Sequence, residues 1–118
     1  MTALLALALA LASSLAGPAE RFIRASDLYR AEDFAGAAAA LESLRDEGHD
    51  AGALYYNLGN AEYRQGRLGK AIAAYLRAAD FMPREADLDF NLRLVRARRA
   101  DAAPTGGAPT FLLSLIHI

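Results

Sequence analysis

Residues 52–85 read GALYYNLGNAEYRQGRLGKAIAAYLRAADFMPRE, and their spacing decides the fold. Apolar side chains recur every three or four residues, at Leu54, Leu58 and Ala61, then at Leu68, Ile72, Tyr75 and Ala79. That is the period of a helix face turned toward a core. Gly66 interrupts the two series and supplies a residue free to take a left-handed turn. Pro83 cannot continue a helix interior and suits the start of a following helix. The stretch predicts two antiparallel helices joined by a tight turn.

The helical period extends outward to Ala19 and to Asp101, and nothing alternates long enough to make a strand. Asp33 reads as an N-cap, and Gly48 as a helix stop before His49 and Asp50. These breakers predict five helices of roughly 12 to 17 residues and an all-α chain.

The chain repeats itself. Asp33-Phe34-Ala35-Gly36-Ala37 aligns with Arg67-Leu68-Gly69-Lys70-Ala71 at an offset of 34 residues. The same offset pairs Tyr29 with Tyr63, Leu28 with Glu62, Ala25 with Gly59 and Leu41 with Tyr75, and then Asn57-Leu58 with Asn91-Leu92. A helix–turn–helix unit of that length resembles the tetratricopeptide repeat. Residues 52–85 carry seven of its eight signature sites: Tyr55 at the usual Trp position, Leu58 and Gly59, then Ala71, Tyr75, Ala78 and Pro83. Glu62 departs, standing where a large aromatic is usual. The resemblance implies an α-solenoid of two repeats, a degenerate one at 17–51 and a regular one at 52–85. A helix at 86–101 copies only the first half of a repeat and is expected to cap the stack.

Physical reasons support the match. Gly59, Ala71 and Ala78 are small where paired helices come closest, and leucine at Gly59 should overpack that contact at a cost of about 1–3 kcal/mol. Arg21 and Arg24 replace the Trp and Leu sites of the first copy, which suits a terminal repeat with one side in water. Arg93 stands at the register of Gly59, where no second helix follows. Glu85, Asp87 and Asp89 near the start of that last helix, and Arg96, Arg98 and Arg99 near its end, complement the helix dipole.

Stacked repeats present a concave face made by the first helix of each pair. In the regular copy that face should carry Ala53, Tyr56, Asn60, Tyr63 and Arg64. Tyr and Arg contribute large contact area, and Asn60 is able to bond a peptide backbone, so Tyr56, Asn60, Tyr63 and Arg64 are the candidate partner-binding residues. The competing role for Tyr56 and Tyr63 is to cover the neighbouring helix; Tyr55 and Tyr75 belong to the core.

The ends differ from the middle. All 27 charged side chains fall between Glu20 and Asp101 in a chain of 118 residues with net charge −1. Ala3 to Ala12 is an uninterrupted run of alanine and leucine, followed by Ser14 and Ala16 before Gly17. This matches a secretory signal at 1–16 and is too short to span a bilayer, although no Lys or Arg precedes it. A buried Ala/Leu helix is the alternative. Residues 102–118 open as a Pro/Gly linker and end in an apolar stretch from Phe111. Leu113 to Ile118 reads LSLIHI, which resembles one frame of a sequencing adapter, so the natural chain is expected to run on past Leu112.

Composition excludes several functions. There is no cysteine, hence no disulfide, thiol catalysis or zinc–thiolate site. Charge balance argues against a nucleic-acid binder. Glu32-Asp33, Asp46-Glu47 and Asp87-Asp89 lie at helix ends or turns, where capping and solvation account for them. Gly106-Gly107 lacks the setting of a phosphate loop, and His49 has no partner at metal-ligand spacing. No catalytic residue, cofactor or metal is expected.

The order of parts, with Leu54-Tyr55-Tyr56-Asn57-Leu58-Gly59-Asn60-Ala61 in the regular repeat, is similar to the BatE-like tetratricopeptide proteins of bacterial aerotolerance (Bat) operons. The similarity covers about Ala19 to Leu112. It implies a non-enzymatic scaffold on the periplasmic face of the inner membrane, anchored by a downstream span and working beside von Willebrand factor A-type partners. A soluble exported adaptor for envelope or polysaccharide assembly is the alternative. Arg96, Arg98 and Arg99 beside a downstream span would favour the cytoplasmic side; the signal-like head, acting first, favours export. At the level of the fold, Leu58→Ala should lower unfolding free energy by about 2–5 kcal/mol in denaturant titration if Leu58 is fully buried.

Overall fold

The structure, a computed structural model, describes residues 2–102, and these are helical throughout: α1 (Thr2–Leu15), α2 (Pro18–Arg30), α3 (Phe34–Asp46), α4 (Gly52–Arg64), α5 (Leu68–Phe81) and α6 (Ala86–Asp101). The five helices expected between Ala19 and Asp101 are α2 to α6. Pro18 opens α2 behind an extended Gly17, where a missing N–H costs nothing. Asp33 caps α3, its Oδ1 accepting from the Gly36 N–H at 2.9 Å. Pro83 corrects the reading above: it lies in the α5–α6 turn, three residues before Ala86, and does not start the helix. The residues beyond Ala102, including the linker and LSLIHI, lie outside the described residues.

The two inner turns superimpose in register. Gly66 after α4 has φ +79°, and Glu32, one repeat earlier, has φ +64°. A left-handed residue strains any side chain, so the first copy tolerates in Glu32 what the second relieves with glycine. Each turn is closed by the same backbone pair: Asp33 N to Leu28 O and Arg67 N to Glu62 O, both at 2.9 Å.

Consecutive helices pack in order, α2 on α3, α3 on α4, α4 on α5 and α5 on α6, with α2 also reaching α4. The first helices of the pairs thereby share one face and α3 with α5 the other. The core is thin and alanine-rich. Ala25, Ala37, Ala61, Ala71 and Ala78 are buried, interleaved with Leu41, Leu44, Leu54, Leu58, Leu88 and Val95. At Gly59 the contact is closest: a Cβ there would sit 2.5 Å from Cδ1 and Cε1 of Tyr75. Leu58, at 3 % exposure, meets the burial condition set above. Leu4, Leu5 and Leu7 of α1 are exposed.

Polar pairs replace aromatics where the repeat departs from its pattern. Arg21, at the Trp register of the first copy, is not the open surface residue expected there: its side chain is only 18 % exposed. Its Nη1 donates to Glu47 Oε1 at 2.7 Å, and its Nη2 bonds Glu47 Oε2 and Ser43 Oγ. The Arg21 hydrogen bonds hold the Glu47 carboxyl down at about 2. Tyr55, at the same register in the second copy, stacks on Phe81 and donates its hydroxyl to Asp50 Oδ1 at 2.5 Å. Arg93 takes the Gly59 register of α6, where its side chain is 74 % exposed and pairs with Asp89.

Glu62 is the exception in the core. It is 1 % exposed, and both carboxylate oxygens are buried without a hydrogen-bond partner. The nearest cation, Arg67 Nη1, stands 3.9 Å from Oε2. Burial raises its pKa, and Glu42 beside it adds to the rise. Because the folded pKa is raised, the stabilisation from this group is full below the ordinary carboxyl range and is lost as pH rises through the raised value. Glu47 acts oppositely: its contribution is present above about 4.5 and is lost as pH falls towards 2. Glu62→Leu, which copies Leu28 of the first repeat, should raise unfolding free energy at neutral pH by about 1–4 kcal/mol. Denaturant titrations from pH 4 to 8 should also show Glu62→Gln flattening the decline in stability above the ordinary carboxyl range.

Candidate functional site

Side chains from α2, α4 and α6 meet on the concave face, where two hollows run together. One, of about 250 Å³, is lined by Ala25, Ser26, Tyr29, Arg30, Ala37, Leu41, Asn57 and Asn60. The next, of about 220 Å³, is lined by Tyr29, Asn60, Tyr63, Arg64, Tyr75, Asn91, Leu94 and Val95. Tyr29 and Asn60 belong to both, so the hollows form one groove across the three helices. Tyr63 also borders a third hollow with Arg98 and Asp101.

The groove is held by a core residue. Tyr75 is 1 % exposed, yet its hydroxyl donates to Asn60 Oδ1 at 2.5 Å. Burial pushes the Tyr75 pKa well above the ordinary phenol value, so the hydroxyl keeps its proton and remains a donor. Asn91 Nδ2, from α6, donates to the same Asn60 oxygen and to the Tyr56 hydroxyl, both at 3.2 Å. With its oxygen engaged twice, Asn60 is fixed in orientation. Its Nδ2 hydrogens, which have no partner among the described residues, remain for a ligand acceptor.

The four candidate residues divide between groove and frame. Asn60, Tyr63 and Arg64 line the groove. Tyr56 stands beside it at the α4–α6 junction, its ring 6.0 Å from Tyr75 and its hydroxyl bonded to Asn91. Ala53 is exposed near the start of α4 and lines neither hollow. The guanidinium of Arg64 rests 4.4 Å over Phe34, and that of Arg98 lies 5.5 Å over Tyr63. Such stacking holds a cation in place while leaving its N–H edge open.

Tyr29, Arg30, Ser26, Asn57 and Asn91 also belong to the groove or its frame but were not singled out as partner-binding residues. The 34-residue offset contains the signal for three of them, since it carries Asn60 onto Ser26, Tyr63 onto Tyr29 and Arg64 onto Arg30.

Among the described residues no group of three or more His, Cys, Asp or Glu side chains could hold a metal ion. The groove presents amides, phenols, guanidinium groups and the Ser26 hydroxyl, which supply hydrogen-bonding groups and flat surfaces.

Comparison with known proteins agrees with this geometry. No curated protein matches the chain. The protein-family model described as "Tetratricopeptide repeat" matches residues 24–87, more than half of the sequence, from within α2 to the start of α6. The matched span includes Tyr55, Leu58, Gly59, Ala71, Tyr75, Ala78 and Pro83, whose packing or turn positions are described above. The chain belongs to the tetratricopeptide repeat family.

Proposed function

We propose that this chain is a non-enzymatic scaffold that binds partner proteins through an extended peptide segment laid along the concave groove. One observation carries this reading: the buried Tyr75 hydroxyl fixes Asn60 on the floor of a groove already formed by three packed helices. A preformed site spares a ligand the ordering cost on the protein side. The rings of Tyr29 and Tyr63 supply apolar walls, and Asn57 and Asn60 supply amides for a backbone.

The setting we propose is the bacterial envelope, with the repeats on the periplasmic face of the inner membrane and von Willebrand factor A-type proteins as partners, as in BatE-like proteins. Three features of the chain support it: the uncharged Ala/Leu head before Gly17, the exposure of Leu4, Leu5 and Leu7, and the repeat order Ala19 to Leu112. No helix among the described residues is long and apolar enough to cross a membrane, so any anchor lies outside them.

Pull-down from envelope extracts with purified chain tests the scaffold. Tyr56→Ala combined with Tyr63→Ala removes one frame ring and one wall ring, and partner capture should fall at least tenfold. Undiminished capture by a variant whose helical circular dichroism is intact would remove the groove from the mechanism.

A further inference from the structure

We propose that the outer face of α6 is a dimer interface, on which a second copy of this chain packs its own α6 antiparallel. The surface lies apart from the two joined hollows, and the inference does not rest on the peptide reading. About 3.6 residues per turn bring Ala86, Phe90 and Ala97 within about 40° of one line along the helix. All three are exposed, Phe90 at 63 %. Leu88, Leu92 and Val95, on the opposite side, are buried in the core. Repeat register identifies the kind of surface this is. One repeat earlier the same positions are Gly52, Tyr56 and Tyr63, and Gly59 stands in that face at the register of Arg93. On α4 the face receives a helix: a Cβ on Gly52 would meet Phe81 and Met82 at the end of α5, and one on Gly59 would meet Tyr75. On α6 the corresponding face is open among the described residues.

Charge names the occupant. Asp87 and Asp89 lie in the first turn of α6, and Arg98 and Arg99 in the last. The dipole favours that order in any helix, and the order makes α6 complementary to itself when reversed. A two-fold pair centred between Arg93 and Leu94 sets Phe90 against the second copy's Ala97, a large side chain over a small one. By the same turn angle Asp87 and Arg98 share one flank of the stripe, and Asp89 and Arg96 share the other. Each flank faces its own counterpart in such a pair, so Asp87 meets the second copy's Arg98 and Asp89 meets its Arg96. Both pairs are offset by about 3 Å along the axis, which an arginine side chain spans. A parallel pair sets acid beside acid and base beside base, which is unfavourable. Asp89 and Arg93 pair within the chain at 62 % and 74 % exposure, and a pair so exposed yields readily to a better-placed partner. One helix face makes an interface at the low end of size, so the dimer should form at about 100 µM.

Sedimentation equilibrium of the full chain at rising concentration tests the pair, with helical circular dichroism as the check on every variant. The unaltered chain should approach twice the monomer mass, and Phe90→Arg should weaken association at least tenfold. Asp87→Arg/Asp89→Arg and Arg96→Asp/Arg98→Asp should each be monomeric alone and should form a mixed dimer when combined. If the second of these does not fold, Phe90→Arg and Asp87→Arg/Asp89→Arg still decide. The chain has no cysteine, so a single introduced thiol reads the orientation. A short bismaleimide should join two copies of Arg93→Cys, near the axis, and not of Ala86→Cys, whose positions lie about 22 Å apart along the antiparallel pair. A monomer at every concentration would overturn the proposal, including the case in which residues 103–118 of the same chain cover Phe90. A dimer indifferent to Phe90→Arg and to charge reversal would overturn it too, by placing the association elsewhere.

Discussion

The ring of Tyr75 lies against Gly59, and much of the structure depends on that contact. The pair sets how closely α4 and α5 approach, because any side chain at Gly59 would collide with the ring. Ala61, Ala71 and Ala78 are buried along the same helix pair. Close approach places the Tyr75 hydroxyl beneath α4, within reach of Asn60, and Asn60 in turn receives Asn91 from α6. One aromatic residue thus joins the packing of a repeat, the docking of the last helix and the floor of the groove. Stability and binding are not separable here in the way they are when a site sits on a loop.

The departures from the repeat pattern follow a common physical rule: a polar side chain occupies an aromatic position only where something compensates it. Arg21 is compensated by Glu47 and Ser43, and it spans from α2 to the end of α3 as a ring would have done by contact. Glu62 is compensated least: Arg67 stands 3.9 Å away, and neither buried carboxylate oxygen has a hydrogen-bond partner to replace lost hydration. The first copy avoids this cost by using Leu28 at that register. Phe90, at the register of Tyr56, shows the reverse case, an aromatic left 63 % exposed among the described residues.

Much of this was legible in the sequence because repeat packing is local and periodic. The offset of 34 residues, the small residues at Gly59, Ala71 and Ala78, and the breakers at Asp33 and Gly66 were enough for five helices and their order. The same period grouped Asn60, Tyr63 and Arg64, and the three line one hollow. What escaped depends on distances between helices. The Tyr75–Asn60–Asn91 chain joins residues 15 and 31 positions apart, and no spacing rule within one helix reveals it. The partnership of Arg21 with Glu47 escaped for the same reason, since a terminal position read as solvent-facing is covered by the end of the next helix. Pro83 was misplaced because proline fits both a helix start and the turn before one, and only the geometry of the α5–α6 connection decides.

The most direct test of the central contact is the unfolding free energy of Gly59→Ala in the full chain. Alanine is the better helix former by about 0.5–1 kcal/mol, so in a roomy position the substitution would stabilise α4. Against the Tyr75 ring the account predicts the opposite sign, a net loss of about 1–3 kcal/mol as the ring and its hydroxyl are displaced. A gain in stability would contradict it, because the helices would then have room to spare and Tyr75 would not be the residue that sets their approach.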